Sequence, residues 1–324
     1  MAPGPLTGSP GLETAPFHQL PGDNLPPARA FWLRADDGIR LRLAIWNEPA
    51  TAGTVLLFPG RTEYIEKYAP VAAELAARGY ATLAIDWRGQ GLADRLLPNS
   101  RAGHVGAFAD YQRDVAEMIA AATDLGLPRP WHLLAHSMGG CIGLAALMNN
   151  LPVASAVFSA PMWGINLGQI PRGMALGLSY LAGRLGRGGQ AAPGSGTAAG
   201  CYVLDESFSA NLLTSDVGGW CRLLQEAAAW PELTLGGASF DWLSGALNEC
   251  SRLAALPSPQ LPMLTSLGGA EKIVSAQAIR DRCARWSGAQ LLETPGARHD
   301  IMIETAPRRD RFLTAATTLF ASTI

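Results

Sequence analysis

One stretch of sequence decides the fold of this chain: Trp131-His132-Leu133-Leu134-Ala135-His136-Ser137-Met138-Gly139-Gly140. Residues 131–135 form an apolar run that predicts a buried strand. A sharp turn follows, with Ser137 at its apex, and a helix is predicted over 139–148. This order of strand, turn and helix presents a serine hydroxyl at the carboxyl edge of a sheet.

The turn imposes a steric demand on its neighbours. A serine at such an apex has a strained backbone, so the residues two positions away must be very small, and Ala135 and Gly139 are. Gly140 then lets the helix pack close to the strand. The pattern is close to the G-x-S-x-G nucleophile elbow, with Ala135 in place of the first glycine. An N-cap serine on an ordinary helix is the alternative, but the preceding buried strand favours the nucleophile.

Strands and helices alternate on both sides of this motif. Apolar, β-rich runs predict strands over 30–33, 41–46, 54–58, 81–85, 131–135, 154–159, 262–267 and 289–293. Helical spacing of apolar residues predicts helices over 68–78, 111–123, 139–148 and 307–321. Such alternation predicts an α/β fold, with a mostly parallel central sheet flanked by helices on both faces.

The alternation of predicted strands and helices, and its interruptions, divide the chain into four segments. Residues 1–27 hold seven prolines and are predicted to form an extended N-terminal arm. The core of the fold is predicted over 28–161 and again over 256–324. Residues 162–255 break the alternation, with four of the nine tryptophans and a glycine-rich loop. We interpret them as a mainly helical lid inserted between two late strands; irregular core packing is the alternative.

Composition excludes several classes of function. Of 324 residues, 48% are hydrophobic and 16% charged, which is an ordinary globular balance. Lys plus Arg is 25 and Asp plus Glu is 27, a net charge of −2 that offers no basic surface for nucleic acid. The five cysteines form no C-x-x-C pair, so neither a disulfide framework nor a metal site is expected.

Targeting signals are not evident from the residues. The N-terminus has no basic region followed by an apolar one, so no signal peptide is expected. Residues 141–171 carry no charge and are long enough to span a bilayer, but asparagines and prolines interrupt them. We therefore divide them into a helix end, a turn, a buried strand and a loop. A cytoplasmic location is expected, with peripheral contact on the inner face of the membrane as an option.

A nucleophilic serine needs a base, which this arrangement places after an acid in chain order. Of the five histidines, only His299 lies far beyond Ser137, in a turn-rich loop after the last predicted strand. His136 is too close to reach back to Ser137 and is expected to point into the core or to line the turn. His104 is expected to be structural. Cofactors are not needed for this chemistry, and none is predicted.

The acid should follow the strand over 262–267, and Glu271 is in that place. It would fix the tautomer of His299 and stabilise the imidazolium. Asp281 and Glu293 are rivals, but one lies in the next helix and the other at the end of a strand. Asp300, beside the histidine, is expected to cap a helix or face solvent.

Acyl transfer also needs hydrogen-bond donors for the developing oxyanion. The N–H of Met138, directly after the serine, is one candidate. The loop after the strand over 54–58 should supply the second, and we assign the N–H of Arg61. Gly60 before it lets the backbone approach the substrate.

Several motifs in order resemble one family. They are Pro59-Gly60-Arg61-Thr62-Glu63, Asp86-Trp87-Arg88-Gly89-Gln90-Gly91, Gly103-His104-Val105, Leu134 to Gly140, Ala160-Pro161-Met162 and Gly296-Ala297-Arg298-His299. Together they resemble the α/β-hydrolases, in the branch of bacterial lysophospholipases and monoacylglycerol lipases. Pro-Gly-Arg in place of the commoner His-Gly, and glutamate in the acid position, are similar to bacterial lysophospholipases. The resemblance implies the triad Ser137, Glu271 and His299 and an α/β-hydrolase fold.

The residues predict a serine hydrolase that works through an acyl-enzyme. The resemblance implies that its substrates are carboxylic esters of monoacyl lipids. The apolar residues of the lid could shelter the acyl chain, touch a membrane, or simply pack on the sheet. Arg172, Arg184 and Arg187 could receive a phosphate headgroup or be solvated surface residues. A general carboxylesterase, a serine aminopeptidase or a non-enzymatic ligand-binding protein of the same fold are the alternatives. Oligomeric state is not predicted.

Overall fold

A computed structural model describes residues 12–197 and 199–323 of the chain. Within these residues, nine strands form one sheet in the order β1-β2-β3-β5-β4-β6-β7-β8-β9. The strands are β1 (Glu13–Thr14), β2 (Arg29–Arg34), β3 (Arg40–Trp46), β4 (Thr54–Phe58), β5 (Ala81–Asp86), β6 (Trp131–His136), β7 (Ser155–Ser159), β8 (Met263–Gly268) and β9 (Ala289–Thr294). Strands β4 to β9 are mutually parallel, whereas β1, β2 and β3 pair antiparallel.

Helices follow or separate most of these strands. They are α1 (Ala69–Ala76), α2 (Tyr111–Asp124), α3 (Met138–Met148), α4 (Arg172–Arg184), α5 (Tyr202–Asp205), α6 (Val217–Ala229), α7 (Phe240–Ala255), α8 (Ala276–Ala284) and α9 (Ala306–Ala321). Short 3₁₀ turns cover Ile65–Tyr68, Phe108–Asp110, Pro231–Leu233 and Ile301–Ile303. Helix α1 ends before Gly79, which has a φ of +87° that a glycine adopts without strain.

The sheet separates two apolar clusters, because successive residues of a strand point to opposite faces. In β4, Leu56 belongs to the cluster that includes Met118 of α2 and Ile142 of α3. Leu57, next in sequence, belongs to the cluster that includes Val71 of α1 and Phe312 of α9. Both faces of the central strands are therefore buried, which explains why these strands read as continuous apolar runs. The predicted mostly parallel sheet with helices on both faces is confirmed.

Among its described residues, the segment between β7 and β8 has no strand of the sheet and contains α4, α5, α6 and α7. It spans the residues 162–255 that the sequence sets apart. Part of the uncharged run over 141–171 forms the buried strand β7. None of the described helices combines the length and apolarity that a bilayer-spanning helix requires.

The N-terminal residues are described in part. Residues 1–11 of the predicted arm lie outside the described residues. In the remainder, Glu13 and Thr14 pair with Trp32 and Phe31 of β2, so the arm adds a short edge strand to the sheet.

Candidate active site

Ser137 lies at the point where β6 passes into α3, at the carboxyl edge of the sheet. Its backbone has φ +49° and ψ −116°, a conformation that costs about 1–3 kcal/mol for a residue with a side chain. Two neighbours hold it in place, since the Ser137 N–H donates to the Ser159 carbonyl at 3.0 Å and the Met162 N–H donates to the Ser137 carbonyl at 2.8 Å. The strained turn therefore depends on the end of β7.

The small residues around the turn have specific neighbours. A Cβ atom on Gly139 would overlap the backbone carbonyl oxygens of Phe58 and Pro59, at the end of β4. A Cβ on Gly140 would approach to 2.8 Å of the Pro161 Cα. Ala135 is fully buried in the sheet. Gly139 thus leaves room for the loop after β4. Gly140 leaves room for the loop after β7, and not for the preceding strand β6 as the sequence predicts.

The structure brings Ser137, His299 and Glu271 together. His299 Nε2 lies 2.8 Å from Ser137 Oγ, and His299 Nδ1 lies 2.8 Å from Glu271 Oε2. All three side chains are nearly buried. One ring nitrogen can therefore accept the serine proton while the other donates to the carboxylate, an arrangement that activates a hydroxyl as a nucleophile.

Glu271 lies just after β8 and is held by the loop that carries it. Its Oε1 accepts from the N–H groups of Ile273 at 2.6 Å and Val274 at 3.1 Å, so Oε2 is left for His299. Burial opposes ionisation of this carboxyl, but the charge of His299 and these hydrogen bonds outweigh it and hold the Glu271 pKa below its ordinary value. The group is a carboxylate at neutral pH.

The two predicted oxyanion donors are unused within the described residues: neither the N–H of Met138 nor that of Arg61 donates a hydrogen bond there. Met138 is the first residue of α3, so its N–H points out of the helix. The loop of Arg61 is fixed by Trp87, whose Nε1 donates to the Pro59 carbonyl at 2.9 Å, and by the Thr62 N–H, which donates to Gln90 Oε1 at 2.5 Å. A Cβ atom on Gly60 would press on the Glu63 carboxylate and the His136 ring, so the glycine leaves room for both side chains.

A buried charge network behind His299 was not predicted from the sequence. Lys67 Nζ donates to Glu63 and, at 2.5 Å, to Asp300 Oδ2. His136 Nε2 lies 3.5 Å from Glu63 and 3.8 Å from Asp300, and Tyr68 and the Gly60 N–H donate to Glu63. We call Lys67, Glu63, Asp300 and His136 the Lys67 cluster.

The charged members of the Lys67 cluster shift one another's pKa values. Burial opposes ionisation of Asp300, yet the Lys67 ammonium lowers the Asp300 pKa to about 2, and it lowers the Glu63 pKa as well. The two carboxylates in turn outweigh burial and raise the Lys67 pKa. Burial lowers the His136 pKa. Glu63, His136 and Asp300 lie close enough to hold a metal ion, but the Lys67 ammonium already forms ion pairs with both carboxylates.

The cluster joins two loops of the site, because Glu63 accepts from Gly60 beside Arg61, and Asp300 follows His299. A sequence signal was present: Lys67 is one of only two lysines, four residues after Glu63. The expectation that Asp300 caps a helix is met, since it accepts from the Met302 N–H, but a solvent-facing Asp300 is wrong because the residue is buried.

The remaining candidates lie in other contacts. Glu293 pairs with Arg280, and Asp281 accepts from Gln277 on the exposed side of α8. His104 Nδ1 bonds to Ser239, and His136 Nδ1 bonds to the Ser159 hydroxyl at 3.0 Å, away from Ser137. None of these side chains hydrogen-bonds to Ser137 or His299, although the centroids of the His136 and His299 rings lie 4.9 Å apart.

Residues 49–306 match the family described as serine aminopeptidase, S33. The chain belongs to the S33 serine aminopeptidase family. It is 29% identical to lysophospholipase L2 of Escherichia coli K12 over 314 residues, which cover 91% of this chain and 90% of that protein. It is 29% identical to the probable lysophospholipase L2 of Haemophilus influenzae over 296 residues, 89% of this chain and 92% of that protein.

Solved structures with a similar fold include a soluble variant of monoglyceride lipase from Saccharomyces cerevisiae. It has a TM-score of 0.71 at 18% identity and covers 95% of this chain and 99% of the lipase. A carboxyl esterase from Bacillus coagulans has a TM-score of 0.71 at 14% identity, covering 91% of this chain and 98% of the esterase. The predicted α/β-hydrolase fold is confirmed.

Proposed function

We propose that this chain is a serine hydrolase that cleaves the carboxylic ester of monoacyl lipids, as a lysophospholipase or monoacylglycerol lipase. The observation that carries the proposal is the pair of 2.8 Å contacts that link Ser137, His299 and Glu271. Relatives named as lysophospholipases, over about nine-tenths of the chain, supply the substrate class.

The reaction proceeds in two steps. His299 Nε2 takes the proton of Ser137 Oγ as the oxygen attacks the acyl carbonyl, and the N–H groups of Met138 and Arg61 donate to the oxyanion. The oxyanion intermediate collapses, the ester C–O bond breaks, and His299 returns the proton to the departing alcohol. Water, deprotonated by His299, then attacks the acyl-enzyme; the bond between the acyl carbon and Ser137 Oγ breaks, His299 returns the proton to Oγ, and the fatty acid is released. Glu271 stabilises the imidazolium in both steps.

We also propose that residues 162–255 form a lid over this site. The segment contacts the histidine loop, because the His299 N–H donates to the Leu212 carbonyl at 3.2 Å and the Asp300 N–H donates to the Leu213 carbonyl at 2.9 Å. Helix α4 exposes apolar side chains: Met174 is 51%, Leu178 48%, Tyr180 70% and Leu181 54% exposed. Such a row is suited to peripheral contact with a membrane on the cytoplasmic side.

A fluorophosphonate probe tests the nucleophile. We expect covalent labelling of the wild type and none of Ser137→Ala, with both proteins equally folded by circular dichroism. A folded wild type that resists labelling would favour the ligand-binding alternative.

Turnover of a substrate panel tests the specificity. The panel is lysophosphatidylcholine, lysophosphatidylethanolamine, monoacylglycerol, short p-nitrophenyl esters and aminoacyl amides. We expect the highest kcat/KM for a monoacyl lipid. A preference for short esters over every lipid would favour a general carboxylesterase, and a preference for the amides would favour the aminopeptidase activity that the family description names.

Vesicle flotation tests the membrane contact. We expect the wild type to float with phosphatidylglycerol-containing vesicles and the double variant Leu178→Ser, Leu181→Ser to remain at the bottom. Leu291→Ser, at a leucine that is 37% exposed on β9, is the matched control and should float. Equal flotation of all three proteins would contradict a role for α4.

A further inference from the structure

The Arg61 guanidinium has no carboxylate partner, although it lies next to the oxyanion loop. Within residues 12–197 and 199–323, no Asp or Glu forms an ion pair with it. Its Nε is buried without a hydrogen-bond partner in the same residues. A desolvated cation with unused donors is costly, so its retention beside a site of ester chemistry calls for a ligand.

The surroundings hold this guanidinium in one position. Nη2 donates to the Gly236 carbonyl at 2.7 Å, and the group lies over the Trp242 ring with 5.2 Å from Cζ to the ring centroid. Gly103 leaves room for Nη2, because a Cβ atom there would overlap it. Burial lowers the Arg61 pKa to about 10, which still leaves the group charged at neutral pH. The cation is thus fixed between the oxyanion loop and the inserted segment.

We propose that Arg61 is the residue that recognises the phosphodiester of a lysophospholipid headgroup, and so determines specificity for phosphate-bearing monoacyl lipids over monoacylglycerols. The inference rests on the proposed ester-hydrolase function. A guanidinium presents N–H donors in a fork that matches two phosphate oxygens. With one Nη2 hydrogen used by Gly236, the Nε hydrogen, on the same edge as Nη2, remains without a partner for the anion.

The length of the Arg61 side chain, counted in covalent bonds, matches that of this substrate class. Arg61 contributes its backbone N–H to the ester oxyanion and its side chain to the headgroup. The number of covalent bonds from an arginine's backbone nitrogen to its guanidinium carbon equals the number from the ester carbonyl carbon to the phosphorus of the substrate. This holds for a lysophospholipid that is acylated on the first glycerol carbon. The exposed arginines of the inserted segment, Arg184 and Arg187, have no such fixed position.

The decisive measurement is a ratio of kcat/KM values: lysophosphatidylethanolamine over monoacylglycerol with the same acyl chain. We expect Arg61→Met to lower this ratio about 10- to 100-fold relative to the wild type. The ratio cancels any loss that both esters share through a disturbed oxyanion loop. Arg61→Lys, which keeps the charge without the fork, should recover part of the ratio.

Two further variants serve as a second test of the Arg61 assignment and as its control. Gly103→Ala keeps Arg61 but displaces its guanidinium, so it should also lower the ratio. It replaces Arg61→Met as the test if that variant fails to fold. Arg129→Met is the matched control, since Arg129 also lies over a tryptophan, Trp131, but at the amino end of β6 and exposed to solvent. The control should keep the wild-type ratio. An unchanged ratio in folded Arg61→Met overturns the proposal.

A competition assay separates this inference from the proposed function. Hydrolysis of p-nitrophenyl butyrate is measured with glycerophosphoethanolamine, glycerol or inorganic phosphate as competitor. We expect the phosphodiester to inhibit the wild type more than glycerol or inorganic phosphate does, and Arg61→Met to lose the difference. If the wild type hydrolyses no lipid, the proposed function fails while this assay still decides the subsite. Inhibition by inorganic phosphate as strong as by the phosphodiester would indicate a free-anion site and overturn the headgroup assignment.

Discussion

Replacing Lys67 by methionine is the most informative perturbation of this protein. The ammonium lies between Glu63 and Asp300, and all three side chains are nearly buried. Removing one partner of a buried ion pair costs about 3–5 kcal/mol, because the remaining charge has no compensation. A chain of 324 residues unfolds with an entropy of about 0.7 kcal/mol per kelvin. The melting temperature of Lys67→Met at pH 7 should therefore fall by about 4–7 °C.

The loss should depend on pH with a defined sign. In the wild type the Asp300 pKa is about 2, so its contribution to stability is present above its ordinary pKa and is lost as the pH falls towards 2. In Lys67→Met, burial without the cation should raise the pKa of Asp300 and of Glu63 above their ordinary values. The folded variant then takes up protons that the unfolded chain does not, and its stability falls as the pH rises from about 4 to 7.

Differential scanning fluorimetry at pH 7 and pH 5 measures both effects. We expect the deficit of Lys67→Met against the wild type to be smaller at pH 5, by about 1–2 kcal/mol or about 1–3 °C. His136 faces the same carboxylates and would change the deficit in the same direction on protonation. Lys272→Met removes the other lysine, which is exposed, and should melt within about 1 °C of the wild type. A deficit below 1 °C at pH 7, or one that grows at pH 5, would refute the reasoning.

Three other changes test the site and its supports. Glu271→Gln keeps the shape of the acid but removes the charge that stabilises the His299 imidazolium, so kcat for any accepted ester should fall by about 10⁴-fold with little change in melting temperature; a loss below tenfold would contradict the assigned role. Gly139→Ala should cost about 1–3 kcal/mol and lower kcat, since its Cβ overlaps the carbonyls of Phe58 and Pro59, whereas Gly177→Ala meets no neighbour and should not destabilise the fold in thermal melts. Ser239→Ala removes the N-cap of α7, whose hydroxyl accepts from the Trp242 N–H at 3.1 Å, and should lower stability by about 0.5–2 kcal/mol in the same melts; an unchanged melting temperature would show that the cap is dispensable.

Local patterns were sufficient for strands β2 to β9, for helices α1, α2, α3 and α9, and for the three residues that meet. Strand β4 is a continuous apolar run because both of its faces are buried, and that run is visible without coordinates. Ser137 could be found because its turn demands small neighbours within two residues. His299 and Glu271 followed from chain order, since loops at the carboxyl ends of adjacent parallel strands converge at one edge of a sheet.

The side-chain environment of the site was decided by the tertiary structure. Lys67 and Asp300 are 233 positions apart, and the partner of Arg61, Gly236, is 175 positions away. No periodicity or propensity encodes such contacts, because they depend on how separate elements pack. The sequence by itself determined an α/β fold with a serine, a histidine and a glutamate in hydrolase order. Only the packed structure shows that the buried Lys67 ammonium lies between two carboxylates while the Arg61 guanidinium has no carboxylate partner among the described residues, because charge compensation depends on distances in space and not along the chain.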